Sequence, residues 1–164
     1  MRADRPSRTA VLIAAATVFL SRDPELARLV PSGAATWCRL FLKDPLAKTL
    51  LHPALRWFVR LAERATVPGL MLHFMLRKRW IEEAVREGLA QGCREVVVIG
   101  AGFDTLCLRL AGEFPHATFI EVDHPATQRR KREALSPDNL RLVEADLARQ
   151  KLEVMVAAAK ALRT

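Results

Sequence analysis

An α/β chain is predicted, in which a helical N-terminal segment precedes the first three strands of an incomplete parallel, doubly wound sheet. Three observations carry this. Over the first ninety or so residues, apolar positions recur at helical spacings with no period-two alternation. From Arg94 onward, short β-rich runs alternate with helical stretches, the pattern of right-handed βαβ units. Finally, Gly100-Ala101-Gly102 follows the first of those runs directly and precedes a helix, where an open parallel sheet turns tightly and binds its ligands.

The elements follow in order. Arg2, Arg5 and Arg8 precede an apolar run from Ala10 to Leu20, which resembles the charged and apolar regions of a secretion signal. No small-x-small cleavage site follows; Ser21-Arg22-Asp23-Pro24 does, and the run is shorter than the roughly 18 apolar residues that cross a bilayer. A buried helix capped by Ser7 is therefore expected, with the secretion signal as the lesser alternative. Pro24, Pro31, Pro45, Pro53 and Pro68 divide the helical segment. Within it Leu46, Leu50, Leu51, Leu55, Phe58, Val59 and Ala62 share one helical face; Leu72, Met75, Leu76, Ile81, Ala84, Val85 and Leu89 share another. Gly88 and Gly92 suit the end of that second helix. The expected boundary puts residues 1–92 in the helical segment and 93–164 in the partial sheet domain.

In the second part, Glu95–Ile99 is an unbroken β-branched run expected to be a buried strand. A helix from about Asp104 to Gly112 follows, then a strand Thr118–Val122, a helix from about Pro125 to Leu135, a strand Leu140–Glu144 and a helix Leu147–Leu162. A doubly wound sheet has further strands on the far side of its first strand, and no chain follows Thr164 to supply them. The sheet is therefore expected to be truncated, with an unpaired edge on the first strand that invites self-association.

Bulk composition narrows the function classes. A chain of 164 residues that is 51% hydrophobic, with 7 Gly and 9 Pro, is a packed protein and not a disordered tail. The formal net charge of +8 raises the question of a nucleic-acid or anionic-membrane partner. Arg129, Arg130, Lys131 and Arg132 are read as one solvated helix face; no interleaved aromatic platform accompanies them, so nucleic-acid binding is not expected and neither is a membrane. Cys38, Cys93 and Cys107 form no CxxC pair and no metal-type spacing with His52, His73, His116 or His124. A reducing cytoplasm, three semi-buried thiols and no metal are expected.

The residues that could carry chemistry cluster at the predicted strand ends. A dinucleotide site would place a third glycine where Thr105 stands, so a ligand without a diphosphate is favoured at Gly100 and Gly102. Asp123 ends the second strand about twenty residues on, where a carboxylate can accept both hydroxyls of a ribose; Asp123 or His124 could equally cap the helix that begins at Pro125. Asp146 ends the third strand, beside the place of an adenine edge or as an ordinary helix cap.

Together Val96 to Leu110 (VVVIGAGFDTLCLRL), Phe119 to Pro125 (FIEVDHP) and Glu144 to Leu147 (EADL) resemble the leucine carboxyl methyltransferase-like family, including bacterial proteins assigned as O-methyltransferases. Upstream, Pro6-Ser7-Arg8-Thr9-Ala10, Lys43-Asp44-Pro45-Leu46-Ala47 and Arg77-Lys78-Arg79-Trp80-Ile81-Glu82-Glu83 resemble the family's opening, its DPLA element and its basic-then-acidic helix. The resemblance implies a Rossmann-like class I methyltransferase fold, with S-adenosyl-L-methionine as cofactor and the helical segment on the substrate side. By that likeness Gly100 and Gly102 pass under the methionine moiety, Asp123 holds the ribose, and Asp146 with Leu147 borders the adenine. Arg77 pairs with the cofactor's carboxylate, unless with Lys78 and Arg79 it forms only a solvated face; Arg8 is a weaker candidate for the same contact. The chain departs from relatives at Leu106, often Arg, and at Glu82 and Glu83, often Asp, and it lacks their later strands and substrate-facing motif.

The activity implied is O-methylation of a small-molecule or carboxyl-bearing substrate. A carboxylate needs no base, and His73, His116 and His124 read as surface or capping residues, so no catalytic residue is nominated. A non-catalytic fragment, or a basic binding protein using the same fold, are the competing readings.

Overall fold

The computed structural model describes residues 6–43, 51–134 and 137–146. They divide into two units, Arg8–Ala84 and a second built from Val85 onward together with the residues before Arg8.

In the helical unit, α1 (Arg8–Leu20), α2 (Ala34–Phe41), α3 (Arg56–Thr66) and the start of α4 (Leu70–Ala90) follow one another. The apolar run that opens the chain is α1, and Ala14, Ala16, Val18, Phe19 and Leu20 are buried along it. Phe19, Leu20 and Met75 form a core into which Leu26, Leu29, Val59, Met71 and Phe74 pack. No helix among the described residues is long and apolar enough to cross a membrane.

Where α1 ends, Asp23 is buried and organises the turn. Its carboxylate accepts the N–H of Glu25 at 3.0 Å and of Leu26 at 3.1 Å, and it pairs with Arg60 and, at 3.6 Å, with Arg56. Arg56 also lies 4.8 Å from the centre of the Phe19 ring. Burial opposes ionisation of Asp23, but the two amides and the two guanidinium groups outweigh it, so the acid titrates below its ordinary range.

In the sheet unit, β1 (Glu95–Ile99), β2 (Thr118–Asp123) and β3 (Leu140–Glu144) form a parallel sheet in the order β1-β2-β3, connected by α5 (Leu106–Glu113) and α6 (Pro125–Arg132). The α/β class and the parallel strands agree with the sequence expectation. The register pairs Glu95 with Thr118 through Ile99 with Val122, and Phe119 with Leu140 through Asp123 with Glu144. Both crossovers step the same way, so right-handed connections put α5 and α6 on one face of the sheet. Ile120 and Val122 point to the opposite face, where Val97, Val143 and Ala145 join them. Asn139, just before β3, donates its side-chain amide to the carbonyls of Ala111, Phe114 and Ala117, fastening the end of α5 to the start of the strands.

Several expectations are corrected. The β-branched run of β1 suggested full burial, yet Val96, Val97 and Val98 are half-buried and Ile99 is 47% exposed. The cause is position: among the described residues β1 pairs only with β2. Arg94 and Gly100 turn their backbone groups toward β2, so by alternation Val97 and Ile99 turn theirs to the open edge. Helix α5 begins at Leu106 and not Asp104: Thr105 is its N-cap residue, and Asp104, one residue before it, stays outside the helix with its carboxylate accepting the Leu106 N–H at 2.8 Å. Cys38 and Cys107 are buried, but Cys93 is exposed. Helix α6 ends at Arg132, and its expected last residue, Leu135, lies outside the described residues, as do most of the DPLA element and the helix expected from Leu147 to Leu162.

The largest correction concerns α6. The basic run expected to be a solvated face is split: Arg129 is exposed and Arg132 pairs with Glu144 at 2.9 Å, whereas Lys131 is fully buried with Nζ 2.5 Å from Glu121 of β2. Gln128, one turn earlier, is also fully buried and donates to the Glu121 carbonyl at 3.0 Å. Helical spacing puts Gln128 and Lys131 on one stripe with Ala126 and Thr127 beside it, so charge count along the run could not reveal that one member faces the sheet. Cys107 of α5 completes the cluster through a hydrogen bond to Glu121. Burial pushes the Glu121 carboxyl up, with Lys131 opposing, and burial with the neighbouring Glu121 pushes the Cys107 thiol up as well. That thiol is therefore a protonated hydrogen-bond donor and not a nucleophile.

Two stability measurements follow from these clusters. Because the Asp23 pKa is lowered on folding, its stabilisation is fully present above the unfolded value of 3.8 and is lost as pH falls through the lower folded value. Asp23→Asn is expected to flatten the acid limb of a urea-unfolding series below about pH 4, where the parent chain loses stability. Lys131→Met alone is expected to cost about 3–5 kcal/mol in urea unfolding, because it strands a buried carboxylate, while Lys131→Met combined with Glu121→Met recovers most of that loss.

Candidate functional site

The sequence-predicted residues meet at the carboxyl edge of the sheet. Gly100 and Gly102 both adopt positive φ, at 68° and 54°, a region that side chains with Cβ avoid at a cost of about 1–2 kcal/mol. Their use is to turn the chain back immediately after β1. The Gly100 N–H extends the ladder by one bond, donating to the Val122 carbonyl at 2.8 Å, and the Asp104 N–H closes the next turn on the Ala101 carbonyl at 2.9 Å. Buried Ala101 and Phe103 hold the loop from below. Thr105, standing where a dinucleotide site would have glycine, is buried, and its hydroxyl accepts from the Arg109 Nε at 3.2 Å.

Asp123 links this loop to the next strand. Its carboxylate accepts the N–H of Gly102 through one oxygen and that of His124, at 2.5 Å, through the other. Its own carbonyl accepts the Ala145 N–H at 2.8 Å, which carries the connection on to the tip of β3. Asp123 is half-buried, and each carboxylate oxygen retains a lone pair beyond the N–H it receives. The choice left open between Asp123 and His124 as helix cap is decided: His124 is the cap of α6, with Nδ1 accepting the Ala126 N–H at 3.3 Å and Pro125 in the first helical turn. Asp123 is thereby left to face the loop and the strand end. Asp146, half-buried, lies two residues beyond β3 on the same edge.

Gly100, Gly102, Asp123 and Asp146 are thus assembled along one edge by the parallel register together with the bonds Asp123 makes to Gly102 and Ala145. Leu147 lies outside the described residues. Arg77 is an exposed residue of α4 in the helical unit, and Arg8 is the first residue of α1. Among the other candidates, His73 and His116 are exposed. Beneath the edge, the Glu121–Lys131 pair anchors β2 two residues before Asp123. Sequence reasoning missed that pair; the available signal was an acid inside a β-branched strand with a lysine ten residues later.

Comparison with known proteins agrees with the fold. The family model described as leucine carboxyl methyltransferase matches residues 20–163. A protein of Bacillus subtilis (strain 168) named "Putative S-adenosyl-L-methionine-dependent methyltransferase YktD" is 36% identical over 66 residues, covering 40% of this chain and 22% of that protein. A protein of Mycobacterium sp. (strain MCS) named "Putative S-adenosyl-L-methionine-dependent methyltransferase" is 32% identical over 104 residues, covering 60% of this chain and 41% of that protein. The matched part is therefore less than half the length of either relative.

Proposed function

Because the chain belongs to the leucine carboxyl methyltransferase family, we propose that its sheet unit is the S-adenosyl-L-methionine-binding part of a methyltransferase that acts on oxygen, in a small-molecule or carboxyl-bearing substrate. The observation that supports this most directly is the junction of Gly102 and Asp123. The carboxylate is held in place by two backbone N–H groups, and its two oxygens keep the lone pairs that a vicinal diol needs. The fit with an adenosyl cofactor rests on that donor set and on the two positive-φ glycines, which let a ligand approach the backbone closely.

When bound, the cofactor supplies an electrophilic methyl group on a sulfonium. The protein's share is to bind, orient and desolvate. In this reading Gly100 and Gly102 form the floor beneath the methionine moiety, Asp123 receives the ribose hydroxyls, Asp146 and Leu147 border the adenine, and Arg77 receives the cofactor's carboxylate. A carboxylate acceptor suits the absence of an evident base among the described residues of this edge: the one histidine there, His124, has Nδ1 committed to capping α6. The chain's place is taken to be the cytoplasm. Its partner, beyond substrate, is a second copy pairing at the open edge of β1, where Val97 and Ile99 present their backbone groups.

Titration calorimetry of the folded chain with S-adenosyl-L-methionine is expected to give saturable heat, and Asp123→Ala to weaken binding at least tenfold at unchanged helix content. No heat from a folded parent chain would remove the methyltransferase reading and leave the basic binding protein. In sedimentation velocity the parent chain is expected to associate as its concentration rises and Ile99→Lys to remain monomeric; a parent chain that stays monomeric throughout would rule out pairing at β1.

A further inference from the structure

The helical unit contains a cavity of about 360 Å³, within the range of small-molecule sites, that shares no residue with the candidate site at the sheet edge. Buried Val18 and Leu42 and half-buried Leu51 supply apolar lining, and Arg22, Arg39 and His52 supply the polar groups. Among the described residues that line it there is no carboxylate. Two guanidinium groups beside one hollow give it a positive potential that favours an anionic ligand, and the imidazole adds a hydrogen-bond donor.

The nearest acid in sequence cannot do so. Asp23 adjoins Arg22 but is committed to Arg60, Arg56 and two backbone amides. Arg22 is partly engaged: one guanidinium N–H donates to the Leu51 carbonyl at 2.7 Å and so ties the wall at Leu51 to the end of α1. Arg39, on α2, is exposed and has no carboxylate partner among the described residues, which leaves its donor fork open to a ligand. His52 is set in one tautomer. Its Nδ1 accepts the Ala54 N–H at 3.3 Å, capping the short turn at Pro53–Leu55, so Nε2 carries the proton and is a donor even when the ring is neutral.

We propose that this cavity binds an organic carboxylate with an apolar body, the head received by Arg39 and His52 and the body lying against Val18, Leu42 and Leu51. A carboxylate matches the planar fork of a guanidinium, and the apolar lining has no other use for a charged ligand. Every residue involved lies in the helical unit, so the proposal stands apart from cofactor binding at the sheet edge and can fail without it.

The test is calorimetry of the full chain with octanoate, with octanamide as the neutral body and acetate as the bare head. Octanoate is expected to bind saturably and to shift the His52 ring resonances in NMR spectra, with octanamide and acetate each at least tenfold weaker. Arg39→Met, at an exposed position that leaves the fold unchanged, is expected to lower octanoate affinity about tenfold, and Arg39→Lys to recover part of it. No saturable binding of octanoate, equal binding of octanamide, or an Arg39→Met variant that binds as the parent does would overturn the proposal; the last outcome would mean octanoate adheres to apolar surface elsewhere.

Discussion

The carboxylate of Asp123 and the N–H of Gly102 form the contact on which the rest of the sheet edge depends. It joins two tips separated by twenty residues of sequence, and it does so with a charged acceptor and a backbone donor, a stronger pairing than two neutral groups make. The donor is available only because Gly100 and Gly102 occupy the left-handed region, which turns the Gly102 amide toward β2. Through its carbonyl the same residue meets Ala145, so a single side chain and its backbone register all three strand ends. A ligand at that edge would meet a preformed surface.

Beneath it the sheet is held by an arrangement that contributes little net stability of its own. Glu121 and Lys131 are both removed from water, and the desolvation of two charges offsets most of their attraction. What the pair supplies is register. Lys131 meets β2 only if α6 lies in one rotation and at one height, and Gln128 meets the Glu121 carbonyl under the same condition. Arg132, bonded to Glu144 and to the Leu142 carbonyl, repeats the constraint on β3. Polar groups thus specify where α6 sits, while Ile120 and Val122 on the far face supply apolar burial.

The helical unit solves the same problem with one acid. Asp23 collects amides and guanidinium groups contributed from both sides of a gap of more than thirty residues, pinning α3 against the end of α1. Its ionisation is favoured because every neighbour is a donor. The cavity lined by Arg22 and Arg39 is the converse: cations brought together with no acid among the described lining residues.

By itself the sequence determined the strand and helix order, the parallel class of the sheet, the placement of Gly100, Gly102, Asp123 and Asp146 at strand ends, and the family likeness. All of these are local: β-branched runs, helical spacing and glycines at turns act over a few residues, and parallel order follows from the crossovers between them. The tertiary structure alone decided which member of the α6 basic run is buried, that His124 and not Asp123 caps that helix, that Asp104 stays outside α5, and how far the side chains of β1 are exposed. The buried lysine and the exposure of β1 turn on which group lies opposite which across the sheet, and the two helix starts on which side chain folds back onto the N–H two residues on. A side chain's charge is written in the sequence, but its partner, and therefore whether the charge faces water or a carboxylate, is set by the packing of elements far apart along the chain.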